Sequence, residues 1–274
     1  MLKQRVITAV LLMAGFIGVL FFSPWYVFAV LVGAVFCLAA WEWSDLSGIA
    51  HPGLRIIYIF STVLMSVAVA WVLDWSLDLQ KLKLFMLLAV GWWCFALLWI
   101  QGYPTSSIIW GARPVRLIMG WLVLIPAWIG CLYLRNTALG AWLVLMLVLI
   151  VAGADVGAYF SGRRFGQHKL APRVSPGKSW EGVGGGLLLA LLIGVGYNFL
   201  FAGNNWLAVI VIITLAVLIS VVGDLLESMV KRHRGVKDSG DLLPGHGGIL
   251  DRIDGLVAAV PVFALSVMLT HWSL

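Results

Sequence analysis

Residues 223–255 read GDLLESMVKRHRGVKDSGDLLPGHGGILDRIDG and separate two long apolar runs. Six of the chain's 12 acidic residues lie in this segment, although only 11% of all residues are charged. A carboxylate at the end of a membrane helix is costly unless it is paired or bound to a metal ion. The segment therefore predicts a functional site at one end of a set of membrane helices.

The acidic residues of this segment are spaced for a helix. Asp224, Ser228 and Lys231 follow an apolar run at i, i+4 and i+7, so their side chains share one helix face. Asp251 and Asp254 open the next apolar run at i and i+3, which again places both on one face. We expect the three carboxylates to converge on a hard cation such as Mg²⁺, which prefers oxygen ligands.

The residues between these two helices predict a phosphate-binding loop. The stretch is rich in glycine, so its backbone can approach a ligand closely. Gly247 and Gly248 leave room for N–H groups to face an anion. The alternative interpretation is that residues 231–234 (Lys231, Arg232, His233 and Arg234) form only a cytoplasmic positive anchor, but an anchor does not explain the carboxylates.

The composition places the whole chain in a membrane. Hydrophobic residues make up 62% of its 274 residues and the mean hydropathy is +1.03, too much apolar surface for a soluble domain. We expect an all-α, polytopic, single membrane domain over residues 1–274, with N-terminal spans in 1–135 and catalytic spans and loops in 136–274. About nine transmembrane helices, each long enough for a hydrocarbon core of roughly 30 Å, are predicted at 6–22, 25–41, 55–73, 84–100, 117–134, 139–160, 183–201, 206–222 and 255–272.

The distribution of Lys and Arg predicts the orientation. With a cytoplasmic N-terminus, the chain's 18 basic residues all fall on cytoplasmic segments except Lys81, Lys83 and Arg135, as the positive-inside rule requires. This asymmetry also accounts for the net charge of +6 without nucleic acid as a partner. The charged site then lies on the cytoplasmic face.

A second charged region begins at Asp155, near the cytoplasmic end of the sixth span. A basic loop rich in Gly and Ser follows and includes Lys178, which favours a polyphosphate site. The alternative is another positive-inside loop. Ser175 to Ser179 is too short to be a P-loop. Since both charged regions face the same side, we expect them to build one site.

Two further acids, Glu42 and Asp45, lie at the cytoplasmic end of the second span. We expect them to be solvated acids of the membrane interface. The alternatives are a packing feature or a contact with lipid headgroups.

Residues 228–254, with SMVKR, KD and PGHGGILDRID at fixed spacing, resemble the signature of the phosphatidate cytidylyltransferase (CDP-diacylglycerol synthase) family. Residues 155–182 are similar to that family's second motif, with Ser179 in place of Thr. The similarity extends to the basic N-terminus and to the AAWEW segment at 39–43.

This resemblance implies that CTP and phosphatidate react to give CDP-diacylglycerol and pyrophosphate, with in-line attack of the lipid phosphate on the α-phosphorus. It also implies Mg²⁺, with a second cation beside it, and a homodimer. From the lack of a recognisable cleavable signal and the cytoplasmic supply of CTP we expect the inner (plasma) membrane of a bacterial cell, with an organellar membrane as the alternative. The implied catalytic residues are Asp224, Lys231, Asp251 and Asp254, three of which (Asp224, Asp251, Asp254) are metal ligands. The implied substrate-binding residues are Asp155, Ser175, Lys178, Ser228, Arg232, Lys237, Asp238, His246, Gly247, Gly248 and Arg252.

Two other functions compete with this one. A CTP-dependent lipid kinase would use the same nucleotide but transfer the γ-phosphate. A cation-coupled transporter would place polar residues or broken helices near the middle of several spans, whereas the charges of this chain crowd at one interface.

Overall fold

The computed structural model describes residues 13–73, 78–201, 205–242 and 247–270. They form ten helices and one antiparallel hairpin. The helices are α1 (Met13–Phe22), α2 (Trp25–Leu46), α3 (Pro52–Val72), α4 (Leu79–Gln101), α5 (Ser107–Trp110), α6 (Arg113–Asn136), α7 (Gly140–Phe165), α8 (Trp180–Leu200), α9 (Trp206–Arg234) and α10 (Leu250–Thr270), and the strands between α7 and α8 are β1 (Lys169–Ala171) and β2 (Ser175–Ser179).

The all-α polytopic class is confirmed. Eight of the described helices, α2 to α4 and α6 to α10, are long and apolar enough to cross a membrane. The first predicted span, 6–22, is seen only as α1, because residues 6–12 lie outside the described part of the chain. The cytoplasmic placement of the N-terminus and the single-domain division stay predictions.

α9 and α10 extend beyond their predicted spans, and both extensions carry site residues. α9 continues past residue 222 to Arg234, so Asp224, Ser228 and Lys231 are helical, as their spacing predicts. It ends at Gly235, whose φ of 77° is the left-handed conformation that glycine adopts easily at a helix end. α10 begins at Leu250 rather than at 255, which makes Asp251 and Asp254 part of its first turns.

Glycines let the site-bearing helices approach one another closely. α7 and α8 meet at Gly157, where an added Cβ would lie 2.6 Å from the carbonyl oxygen of Gly185. α9 and α10 meet at Gly223, where an added Cβ would overlap the carbonyl oxygen of Asp254. Small residues at helix crossings are typical of membrane bundles, whose association depends on close packing.

Candidate active site

The motif at residues 155–182 carries its lysine, Lys178, on a small hairpin. β2 pairs with β1 and leads into α8, where the Ser179 hydroxyl accepts the Gly182 N–H at 3.1 Å and caps the helix. The Glu181 carboxylate lies 2.6 Å from the His168 ring. This contact holds the residue that precedes β1 against the start of α8. Lys178 is therefore presented from a strand anchored at both ends.

The two motifs meet through this lysine. Lys178 Nζ lies 2.5 Å from Asp224 Oδ2, and the Ser228 hydroxyl donates to Asp224 Oδ1 at 3.2 Å. Asp155 is within electrostatic range of both Lys178 and Asp224. We call Asp155, Lys178 and Asp224 the Lys178 cluster. The structure thus brings residues of α7, the hairpin and α9 together, as the single-site prediction requires.

The Lys178 cluster lines a cavity of about 290 Å³. Glycines of the hairpin and α8 leave the cavity open beside the charges. Val217 and Val221 of α9 supply an apolar wall. A cavity with charge at one end and apolar membrane helices along its side suits a ligand that has a phosphate and a hydrocarbon part.

A second cluster, Glu227, Lys231 and Asp251, lies between α9 and α10. Lys231 Nζ is 2.6 Å from Asp251 Oδ1 and 3.0 Å from Glu227 Oε1. The Asp251 Oδ2 atom accepts the backbone N–H groups of Ser239 and Gly248, both at 2.9 Å. Both Asp251 oxygens are therefore engaged. We call this group the Lys231 cluster.

Asp254 connects the two clusters. It lies within electrostatic range of Asp224, Lys178 and Lys231 and of Glu227. Its Oδ1 atom accepts the Gly255 N–H at 2.7 Å. The two motifs consequently form one continuous charged region.

The charge balance of this region tests whether a divalent cation fits it. Among the described residues, this region holds five carboxylates and two ammonium groups, those of Lys178 and Lys231. The carboxylates are Asp155, Asp224, Glu227, Asp251 and Asp254. Both Glu227 oxygens are buried, and their neighbours are the Lys231 ammonium, 3.0 Å from Oε1, and the Asp251 carboxyl. Surplus hard oxygen donors of this kind fit Mg²⁺.

The described residues contain no ready-made group of three or more His, Cys, Asp or Glu that could hold a metal ion. Of the predicted ligands, Asp251 contacts Lys231 and two backbone N–H groups, and Asp224 contacts Lys178 and Ser228. Asp254 lies within electrostatic range of Asp224. The set of Asp224, Asp251 and Asp254 stays a prediction.

The remaining predicted residues surround the two clusters. Arg232 Nε donates to the Val174 carbonyl beside the hairpin at 3.3 Å, and Ser175 begins β2. Lys237, Asp238 and Arg252 are exposed. His246 lies outside the described residues.

Gly247 and Gly248 were predicted to face a bound anion, but their contacts are with the protein itself. The Gly248 N–H faces an anion, but that anion is the Asp251 carboxylate of the protein itself. Gly247 has φ 77°, and an added Cβ there would lie 2.9 Å from Asp251 Oδ2. The backbone of this loop therefore serves the Lys231 cluster.

Two buried acids were missed as site residues. Glu227 belongs to the Lys231 cluster, and its i, i+4 spacing to Lys231 could have indicated this. The expectation that Glu42 is a solvated acid was wrong: it is 2% exposed and accepts hydrogen bonds from the α10 end of the chain. Asp45 is partly exposed and pairs with Arg55.

Comparison with known proteins gives one consistent family. The chain matches the cytidylyltransferase family over residues 3–270. It is 45% identical to a phosphatidate cytidylyltransferase of Pseudomonas aeruginosa over 99% of both chains. It is 44% identical to one of Haemophilus influenzae over 96% of this chain and 98% of the relative. A Brucella suis relative of the same name is 48% identical over 44% of this chain and 45% of its own. The chain belongs to the cytidylyltransferase family.

Proposed function

We propose that this chain is a phosphatidate cytidylyltransferase of phospholipid biosynthesis. An oxygen of the phosphatidate phosphate attacks the α-phosphorus of CTP, the bond from that phosphorus to the β-phosphate oxygen breaks, and pyrophosphate leaves. The products are CDP-diacylglycerol and pyrophosphate. The proposal rests on the names of the full-length relatives and on the Lys178 to Asp224 contact, which joins both motifs at one cavity.

The lysines supply positive charge where the reaction needs it. Lys178, 24% exposed beside the cavity, meets the triphosphate, with Ser175 and Arg232 nearby. Lys231 is held more deeply, with its side chain 11% exposed, and stabilises the charge that develops on the phosphates. Preorganised cations of this kind act without rearrangement during the reaction.

The carboxylates are the proposed metal ligands. Asp224 and Asp254 would hold Mg²⁺, and Asp155 would hold a second cation or the nucleotide. Bound Mg²⁺ neutralises phosphate oxygens and orients them for in-line displacement. Asp251 acts on the reaction through Lys231, whose ammonium group it holds at 2.6 Å.

The proposed location is the inner membrane of a bacterial cell, with the active site on the cytoplasmic face. The bacterial sources of the relatives, the eight long apolar helices and the Lys and Arg asymmetry support it. A homodimer is proposed from the family resemblance alone. Phosphatidate reaches the site from the bilayer, and CTP reaches it from the cytoplasm.

The test is pyrophosphate release by purified protein given CTP, Mg²⁺ and phosphatidate. Diacylglycerol in place of phosphatidate is the control, because it lacks the attacking phosphate. Release that requires phosphatidate supports the proposal. Release of CDP in place of pyrophosphate would indicate the lipid kinase, and absence of both products would reopen the transporter alternative.

A further inference from the structure

The end of α2 is fixed against α6. Trp43 is 1% exposed, and its ring N–H donates to the Arg116 carbonyl on α6 at 2.7 Å. The Arg116 guanidinium returns a hydrogen bond to the Leu46 carbonyl at 2.9 Å. Two reciprocal contacts across one helix pair leave the residues between them little freedom. Glu42 therefore projects from a rigid frame.

Glu42 receives three hydrogen bonds from the segment that precedes and opens α10. Its Oε1 atom accepts the Ile249 N–H at 2.9 Å, and its Oε2 atom accepts the Leu250 N–H at 2.8 Å and the Ser239 hydroxyl at 3.0 Å. The first N–H groups of a helix have no partner within it. Glu42 thus caps α10 from a helix more than 200 residues earlier in the chain.

The loop is shaped around this carboxylate. An added Cβ at Gly240 would lie 2.8 Å from Glu42 Oε1, and one at Gly248 would overlap both Glu42 and Ser239. Glycine at these two positions is therefore explained by the approach of Glu42.

Ser239 connects Glu42 to the Lys231 cluster through hydrogen bonds. The Ser239 hydroxyl binds Glu42 Oε2 and accepts the Asp251 N–H at 3.3 Å, while its own N–H donates to Asp251 Oδ2 at 2.9 Å. Asp251 in turn holds Lys231 Nζ at 2.6 Å. A continuous set of hydrogen bonds therefore runs from α2 to the lysine.

We propose that Glu42 is a positioning residue for cytidylyl transfer: it holds the start of α10 and Ser239 so that Asp251 keeps the Lys231 ammonium in place. This inference rests on the proposed function. Glu42 does not line the cavity of the Lys178 cluster, so its effect on the reaction is indirect. It also gives the N-terminal spans a role in the chemistry of the C-terminal ones.

The test is Glu42→Gln, assayed for CDP-diacylglycerol formation with purified protein. Gln turns one acceptor oxygen into a donor that opposes a backbone N–H. We expect kcat to fall at least about tenfold, because misplacing a catalytic group by a fraction of an ångström is enough for that. KM for CTP and phosphatidate should stay within about twofold, since the Lys178 cluster is untouched. The matched control, Asp45→Asn, removes a carboxylate from the same helix end outside the network and should keep kcat within twofold of the unmodified protein.

A double variant separates positioning from general destabilisation. Ser239→Ala breaks the same connection, so Glu42→Gln combined with Ser239→Ala should be no slower than the slower single variant. The inference would be overturned if the double variant lost the product of the two single-variant losses in kcat, or if kcat were unchanged in Glu42→Gln. If Glu42→Gln fails to accumulate in membranes, Ser239→Ala is the test. A lower kcat at constant KM supports the inference, and an unchanged kcat overturns it.

Asp251→Asn assayed in parallel distinguishes this inference from the proposed function. An inactive Asp251→Asn beside a fully active Glu42→Gln refutes the role of Glu42 only. A fully active Asp251→Asn refutes the role of the Lys231 cluster, and the inference with it.

Discussion

Lys178→Gln is the substitution that most directly separates catalysis from folding in this site. The Lys178 and Asp224 side chains are 24% and 31% exposed, and ion pairs accessible to solvent contribute only about 1 kcal/mol or less to stability. The melting temperature should therefore fall by no more than about 2–4 °C. Losing a preorganised charge beside the phosphates costs about 2.7–4 kcal/mol of transition-state stabilisation, or 10²–10³ in rate.

The assay is CDP-diacylglycerol formation in detergent micelles, with thermal unfolding measured on the same sample. Lys169→Gln is the matched control, because it removes the same charge from the same hairpin and its exposed side chain does not line the cavity. We expect Lys169→Gln to keep nearly full activity. A Lys178→Gln rate within about threefold of the unmodified protein would refute the assignment of Lys178 to the triphosphate.

Three further predictions follow from the same geometry. Asp251→Asn should lower turnover at least a hundredfold while the protein still inserts, because Asn retains an acceptor for the Ser239 and Gly248 N–H groups; near-normal turnover would remove Asp251 from the site. Asp254→Asn should raise the Mg²⁺ concentration needed for half-maximal activity about tenfold or more, and an unchanged requirement would exclude it as a ligand. Gly157→Leu should lower the melting temperature through overpacking against α8, at about 1–3 kcal/mol. Gly196→Ala on α8, where an added Cβ meets nothing within 4 Å, is its control and should leave that temperature nearly unchanged.

Helical spacing predicted the part of the site that is local in the chain. Asp224, Ser228 and Lys231 belong to one helix, and so do Asp251 and Asp254. Local geometry decides which face such residues share, and burial of apolar runs decides the number of spans. The resemblance to a family supplied the reaction, which spacing alone does not specify.

Contacts between distant parts of the chain could not be predicted in this way. Glu42 and its partners Ser239 and Leu250 are 197 and 208 residues apart, and no local pattern indicates which helices will meet. The same holds for Asp251, whose spacing suggests a metal ligand but whose oxygens are engaged by Lys231 and by two backbone N–H groups.

The hairpin that carries Lys178 was missed for a different reason. Its second strand, SPGKS, contains Pro and Gly and lacks the alternation of apolar and polar residues that indicates a strand. β1 and β2 pair antiparallel. A turn hydrogen bond joins them, from the Val174 N–H to the Ala171 carbonyl at 3.1 Å, and the Ser179 cap fixes the chain at the start of α8. Turn residues and capping, rather than strand propensity, determine this element.

The most direct test of cytidylyl transfer uses CTP labelled separately at its α- and γ-phosphates, incubated with purified protein, phosphatidate and Mg²⁺. The proposed mechanism predicts that the α-label enters the lipid fraction and that the γ-label leaves as pyrophosphate. Entry of the γ-label into lipid, with the α-label recovered in CDP, would contradict it.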